Sequence, residues 1–223
     1  MIFSKAYKAI IPAVLAISCL GFYAGEPGYS IPGLSPYYVA TEKWEDRVFQ
    51  KSLEVAKIFE FQGSEGAMDQ VALILSNYKT GLEPGFRDQL PELIVNESKK
   101  YQYDPFILTA LIITESSFNN WARSRRGALG LMQIRPQTAV ALARETQRDW
   151  KGKLTLYDPG VNIALGAYYL DKLMKRFGKL HLALEAYNHG PTKLSGYLRK
   201  GHKPTDYSKR VIAQYEMIRP QPI

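Results

Sequence analysis

Cysteine and histidine are scarce in this chain of 223 residues, which contains one cysteine and three histidines. The single cysteine, Cys19, excludes an internal disulfide and any cluster of thiolate ligands. The histidines, His181, His189 and His202, are spaced too widely for an HExxH zinc motif. The sequence therefore predicts no metal site, and nothing in it indicates a cofactor.

Acidic residues are outnumbered, with 21 Asp and Glu against 29 Lys and Arg, and the excess is uneven. Residues 26–86 carry 5 basic and 9 acidic side chains, whereas residues 87–223 carry 22 basic and 12 acidic ones. The second part should therefore attract polyanions such as nucleic acid, anionic lipid or acidic cell-wall polymer. Because no nucleic-acid-binding motif accompanies the charge, we predict no nucleic-acid partner.

Long hydrophobic runs are missing except near the N-terminus, where residues 9–25 carry no charge and follow Lys5 and Lys8. This pattern is typical of a segment that directs a chain across the inner membrane. A run of 17 residues is at the short limit for a spanning helix. Residues 1–25 are thus predicted to be a signal peptide or a retained N-terminal membrane anchor, with acylation of Cys19 as a less favoured alternative.

The rest of the chain divides into two parts. Residues 26–86 combine a linker rich in proline, glycine and tyrosine with an acidic helical lead-in, whose apolar spacing predicts helices over residues 42–61 and 68–78. From residue 87 onward helical patterns dominate without alternating strands. We therefore predict a mainly α domain over residues 87–223, preceded by a short helical lead-in.

Local signals define several helices of that domain. Asp104-Pro105 and Asp158-Pro159 each supply an N-cap followed by proline at the first helical position, and Gly178 is a stop signal. Shorter helices are expected around residues 182–187 and 206–218. Between residues 119 and 133 the pattern changes to glycine, serine and arginine, which predicts loops or a small hairpin.

Glu115 lies near the end of the helix predicted to begin at Pro105. Leu108, Leu111 and Ile112 precede it by seven, four and three residues, which places the carboxyl on an apolar face. Such surroundings disfavour the charged form, so the pKa of Glu115 should rise towards neutrality. The alternative is an ordinary glutamate at a helix end that turns to water.

Three motifs in this part of the chain favour a functional role for Glu115 over that of an ordinary surface glutamate. They are ESSFN at residues 115–119, SRRGALGLMQI at 124–134 and AYNHGP at 186–191. In this order, separated by the helix that begins Asp158-Pro159 and carries Asn162 and Gly166, they resemble the lysozyme-like lytic transglycosylases. The resemblance spans about residues 90–212.

The resemblance implies a lysozyme-like fold, α+β with a minimal hairpin, that binds the glycan strands of peptidoglycan. It implies an enzyme that cleaves the MurNAc-GlcNAc β-1,4 bond without water and leaves 1,6-anhydromuramoyl products. Glu115 would be the catalytic acid and base. The segments matched to the family's substrate-binding positions contain Ser124, Gly130, Met132, Gln133, Tyr187, Asn188 and Tyr207.

The match departs from the family pattern at two places. Pro204-Thr205 replaces the usual Glu-Thr pair before Tyr207, and His189 stands where alanine is common. The resemblance further implies a periplasmic or cell-envelope location, with membrane attachment or partners in an envelope machine left open.

Two other functions stay open from the residues alone. One is a hydrolytic, lysozyme-type muramidase in which Asp158 or Glu185 activates water, although Asp158 has the features of an N-cap and Glu185 lies within a helix. The other is a non-catalytic module that binds the cell wall for an envelope assembly machine.

Overall fold

Residues 64–220 are described in the computed structural model of this chain. The predicted signal or anchor segment, the linker and the helix over 42–61 lie outside the described residues. Within the described part no helix is long and apolar enough to cross a membrane. Its α-helices are α1 Ser64–Leu75, α2 Pro84–Asp88, α3 Leu90–Lys100, α4 Pro105–Ser116, α5 Pro136–Glu145, α6 Pro159–Phe177, α7 Leu180–His189, α8 Pro191–Arg199 and α9 Asp206–Ile218.

Helix α4 lies at the centre of the domain. The Asp104 carboxylate caps it by accepting the N–H of Phe106 at 2.9 Å, and Pro105 occupies the first turn, as predicted. All nine residues from 105 to 113 are buried, because α3 and α9 both pack against this helix. The helix is therefore buried around its whole circumference over residues 105–113, and the prediction of a single apolar face was too narrow.

Helix α6 also has the ends that its sequence predicts. The Asp158 carboxylate accepts the N–H of Val161 at 2.9 Å, and Gly178 ends the helix in the left-handed conformation with φ +71°. The helix packs against α3 and α7. Local capping signals thus determine where α6, the longest helix of the described part, begins and ends.

The helices differ from the sequence-based expectation in several places. Helix α1 lies at Ser64–Leu75 rather than 68–78, and its buried residues join the hydrophobic core. Helices α2, α5 and α8 were not predicted. Helix α2 has no buried residue, and only three residues of α5 and Leu194 alone in α8 are buried, so these helices lie largely at the surface.

The segment between α4 and α5 forms the predicted small hairpin. Two isolated antiparallel bridges join Arg123 to Leu129 and Leu129 to Ile134. Within residues 64–220 these bridges are the only β-structure, so the mainly α prediction is confirmed.

Candidate active site

Glu115 lies in the last turn of α4, where the chain makes a sharp turn. Ser117 and Phe118 follow it with φ values of +49° and +60°, a conformation uncommon for residues other than glycine. The Phe118 side chain is fully buried and packs on the ring of Tyr78. The turn therefore anchors the chain just beyond the carboxyl, while Glu115 itself stays partly exposed.

The environment of Glu115 favours its protonated form. Burial raises the pKa of this carboxyl from 4.5 to about 7, and it outweighs the opposing effects of the Tyr207 phenol and the Arg210 guanidinium. Near neutral pH a large share of the molecules therefore carries a proton at this position. A general acid works best with a pKa near the working pH.

Tyr207, in the first turn of α9, makes the contact closest to the carboxyl. Its hydroxyl donates a hydrogen bond to Glu115 Oε1. Burial and the charge of Glu115 raise the pKa of Tyr207 well above its usual value, so the phenol remains a donor. Since Oε1 accepts this bond, Oε2 is the oxygen left to carry a proton towards a substrate.

Tyr187, in α7, faces a different partner. Its hydroxyl donates to the backbone carbonyl of Met132 at 2.9 Å, and its ring packs on Tyr169 with centroids 5.1 Å apart. The charge of Glu115 contributes to raising the pKa of Tyr187, which indicates that the phenol lies near the carboxyl. Among the described contacts the hydrogen bond to the carboxyl comes from Tyr207, with Tyr187 nearby.

The hairpin is held in place by Asn162, a fully buried residue of α6. Its Oδ1 accepts the N–H of Met132 at 2.8 Å, while its Nδ2 donates to the carbonyls of Leu129 and Leu156 at 3.1 and 2.8 Å. Sequence reasoning noted Asn162 but gave it no role. Asn162 lies one turn after Asp158-Pro159, inside an apolar helical stretch. This position could have indicated a buried amide, which must have hydrogen-bond partners.

Met132 and Gly130, two of the predicted substrate-binding residues, pack against helix α6. The Met132 side chain is fully buried, with its sulfur packed where a side chain on Gly166 would lie. A contact of this side chain with substrate stays a prediction. At Gly130, φ is +79° and an added Cβ would lie 2.2 Å from Asn162 Nδ2. The close approach that requires glycine at 130 is therefore to Asn162.

The polar residues of the hairpin are partly engaged with the hairpin itself. Gln133 Nε2 donates to the carbonyls of Ala122 and Gly130, which uses both hydrogens of its amide and leaves the oxygen as an acceptor. Ser124 Oγ accepts the N–H of Ala128 at 3.0 Å. Asn188, next to Tyr187 at the end of α7, is exposed.

The two carboxylates weighed as water-activating groups both have structural roles. Asp158 caps α6, as described above. Glu185 is fully buried in α7, where its Oε1 accepts the backbone N–H of Ser208 at 2.7 Å. Neither arrangement is that of a base facing an open site.

The sequence model of the transglycosylase SLT domain matches residues 92–209, which include α4, the hairpin and Tyr207. The chain belongs to the transglycosylase SLT-domain family. This membership confirms the predicted resemblance, and with the helical architecture it confirms the predicted lysozyme-like fold class.

Individual relatives match about half of the chain. A transglycosylase of Enterobacteria phage PRD1 is 35% identical over 127 residues, which are 57% of this chain and 43% of the phage protein. Membrane-bound lytic murein transglycosylase E of Buchnera aphidicola subsp. Baizongia pistaciae is 38% identical over 111 residues, 44% of this chain and 50% of that protein. The chain thus spans about half the length of these relatives, or less.

A similar solved structure is that of an inactive mutant of lytic transglycosylase Slt from Pseudomonas aeruginosa. It is 32% identical, with a TM-score of 0.46, and the match covers 56% of this chain and 20% of the Slt chain.

Proposed function

We propose that this protein is a peptidoglycan lytic transglycosylase with Glu115 as its catalytic acid and base. The observation that carries the proposal is the state of Glu115, whose pKa of about 7 keeps a proton available and whose Oε1 is held by the Tyr207 phenol. Membership of the SLT-domain family and relatives named lytic murein transglycosylases support the same activity.

In the proposed reaction Glu115 first acts as an acid. Its proton passes from Oε2 to the oxygen that leaves C1 of the muramoyl residue as the glycosidic bond breaks. The negative charge that then develops on the carboxylate is stabilised by the hydrogen bond from Tyr207 and by the charge of Arg210. General acid catalysis of this kind contributes about 10²–10⁴ in rate.

Glu115 then acts as a base. The C6 hydroxyl of the same sugar attacks C1, and its proton passes to the Glu115 carboxylate. The products are a 1,6-anhydromuramoyl end and a free sugar hydroxyl, the enzyme is restored, and no water is consumed. The substrate's own N-acetyl group is proposed to stabilise the charge at C1 in place of a second carboxylate, in line with the structural roles of Asp158 and Glu185.

Substrate contacts are proposed for three polar groups near the hairpin and α7. They are the exposed amide of Asn188, the amide oxygen of Gln133 and the hydroxyl of Ser124. The exposed arginines of the hairpin region are proposed to attract the free carboxylates of the wall's peptide stems. They are Arg123, Arg125, Arg126 and Arg135.

A location outside the cytoplasmic membrane is part of the proposal. It is supported by the charge-free N-terminal run and by relatives named membrane-bound lytic murein transglycosylases. Protease added to spheroplasts should remove a tag placed at the C-terminus. A tag protected until the membrane is lysed would contradict this location.

The activity is tested by digesting purified peptidoglycan with the full chain and weighing the released muropeptides by mass spectrometry. Wild type should release products with anhydro ends, one water lighter than reducing-end products, and Glu115→Gln should release none. Glu145→Gln is the matched control, because Glu145 is an exposed carboxylate paired with Lys172. If wild type releases no product, its binding to the same purified peptidoglycan should be measured. Binding without release would favour the alternative of a non-catalytic wall-binding module.

A further inference from the structure

Glu185 is a buried carboxylate that the proposed reaction does not use. Its exposure is 0%, and its Oε1 accepts the N–H of Ser208 at 2.7 Å. Ser208 is the third residue of α9, so its N–H has no partner within the helix. The N-cap residue Thr205 makes no side-chain bond there, and Glu185 therefore caps α9 from another helix.

A carboxylate at this position costs stability that an apolar side chain would not. Glu185 Oε2 makes no hydrogen bond and lies 3.4 Å from Nε2 of His189, one turn later in α7. Burial of a polar group is unfavourable unless partners compensate it, and the partners here are the N–H at the start of α9 and the nearby imidazole. The cost suggests a role other than packing.

Tyr207, the residue before Ser208, indicates what that role is. Tyr207 lies in the same turn of α9, and its phenol donates to Glu115. We propose that Glu185, together with His189, positions the first turn of α9 and so holds the Tyr207 phenol on the Glu115 carboxyl. The proposal rests on the proposed function for its catalytic meaning, since only there does the proton affinity of Glu115 matter.

The expected consequence concerns the carboxyl, because a hydrogen bond weakens steeply as its distance and angle depart from the optimum. The groups that act on the pKa of Glu115 are Tyr207 and Arg210, both from α9, while Tyr187 of α7 is the group whose own pKa responds to the charge of Glu115. Loss of the phenol contact removes a bond that favours the charged form, so the proton affinity of Glu115 should rise. Glu185 does not touch Glu115 and is a positioning residue.

His189 connects the pair to α8. Its ring meets Tyr197 edge-on with centroids 5.6 Å apart, and Tyr197 in turn meets His202 at 5.2 Å. The imidazole thereby has a fixed orientation towards Glu185 Oε2, which directs Oε1 to Ser208.

The test is a direct titration of Glu115 by NMR, with ¹³C at the side-chain carboxyls of the glutamates in the full chain. The signal is assigned with Glu115→Gln. Tyr207→Phe should raise the titration midpoint by about one pH unit, as expected for losing a bond to a charged group. Glu185→Ala should raise it in the same direction, and the double variant no further than Tyr207→Phe alone. An unchanged midpoint in Glu185→Ala, or full additivity in the double variant, would overturn the proposal.

Two further variants keep the test decisive. Glu185→Gln keeps an oxygen that can accept the Ser208 N–H, so the Glu115 midpoint in this variant should lie closer to that of wild type than the midpoint in Glu185→Ala does. An equal shift of the midpoint in both variants would contradict the positioning role. If Glu185→Ala does not fold, His189→Ala carries the test, with a raised midpoint expected and an unchanged one overturning the pair.

Asp104→Asn is the matched control for lost stability. Asp104 is also a buried carboxyl, and it accepts bonds from Phe106 and Tyr215 at the opposite end of α4. Its replacement should destabilise the fold without moving the Glu115 midpoint. Because titration requires no turnover, the result can be read even if muropeptide analysis finds no transglycosylase activity.

Discussion

Replacing Glu115 by glutamine should make the folded protein more stable at alkaline pH. The pKa of the carboxyl is about 7 in the fold against 4.5 as the ordinary value, so folding disfavours its ionised form. A group with a raised pKa contributes stability that is fully present below pH 4.5 and is lost as the pH rises through 7. At 1.36 kcal/mol per pH unit, ionised Glu115 costs about 3 kcal/mol above pH 7.

The assay is urea unfolding of the full chain at several values between pH 4 and pH 8.5, with the free energy of unfolding extrapolated to water. Near pH 4 wild type and Glu115→Gln should have nearly equal stability, because the carboxyl is then neutral and similar in shape to the amide. The advantage of Glu115→Gln should grow between pH 4.5 and 7 and then level off. Glutamine at 115 still offers an oxygen to the Tyr207 hydroxyl.

A matched control should show the opposite sign. The bond from Lys172 lowers the pKa of Glu145, so Glu145→Gln should lose a little stability at neutral pH and none at acidic pH. The exposed pair contributes little, in line with other surface ion pairs. A stability difference between wild type and Glu115→Gln that does not change with pH would refute the account of a proton held on Glu115 by burial.

Three other substitutions test the site. Tyr207→Phe should move the alkaline limb of the pH–rate profile upward by about one unit, since the phenol favours the charged form of Glu115; an unmoved limb would exclude that effect. Asn162→Ala should lower the free energy of unfolding by roughly 3 kcal/mol or more, because three buried backbone groups lose their partner. Gly130→Ala should destabilise far more than Gly127→Ala, since both have φ near +78° but only at 130 would the new Cβ meet other atoms; equal losses in urea unfolding would contradict the packing described for Gly130.

Helix ends could be predicted from the sequence wherever one residue and its neighbours determine them. Asp104 and Asp158 accept N–H groups two and three residues away, and Gly178 provides a left-handed stop. These signals are local, so they do not depend on the rest of the fold. Helices α5 and α8 begin with proline in the first turn, but neither has a side-chain cap and few of their residues are buried, so their local signals are incomplete.

The site could be predicted only in part, because its contacts join residues distant in sequence. Motif resemblance indicated both Glu115 and Tyr207, but the two residues are 92 positions apart in the chain, and nothing in the sequence predicts the hydrogen bond between them. The apolar spacing around Glu115 correctly predicted a raised pKa. Periodicity gives no information on which tyrosine reaches which oxygen, since packing of α4, α7 and α9 decides it.

Buried polar networks were the least predictable part. The Asn162 amide and the Glu185 carboxylate each bind backbone groups of another segment, and sequence spacing predicts neither pairing. Met132 is a buried apolar residue that the sequence could not place either. A methionine within a substrate-binding motif has the same sequence pattern whether its side chain faces substrate or the core. The absence of a side chain at Gly166 decides that it faces the core.

The most direct test of the central claim is digestion of purified peptidoglycan in water enriched in ¹⁸O. If Glu115 transfers the proton of the C6 hydroxyl and no water attacks, the new muramoyl ends should be anhydro forms without ¹⁸O. Reducing ends that carry ¹⁸O at C1 would contradict the account, because they would show that water attacks the sugar and that the protein is a hydrolase.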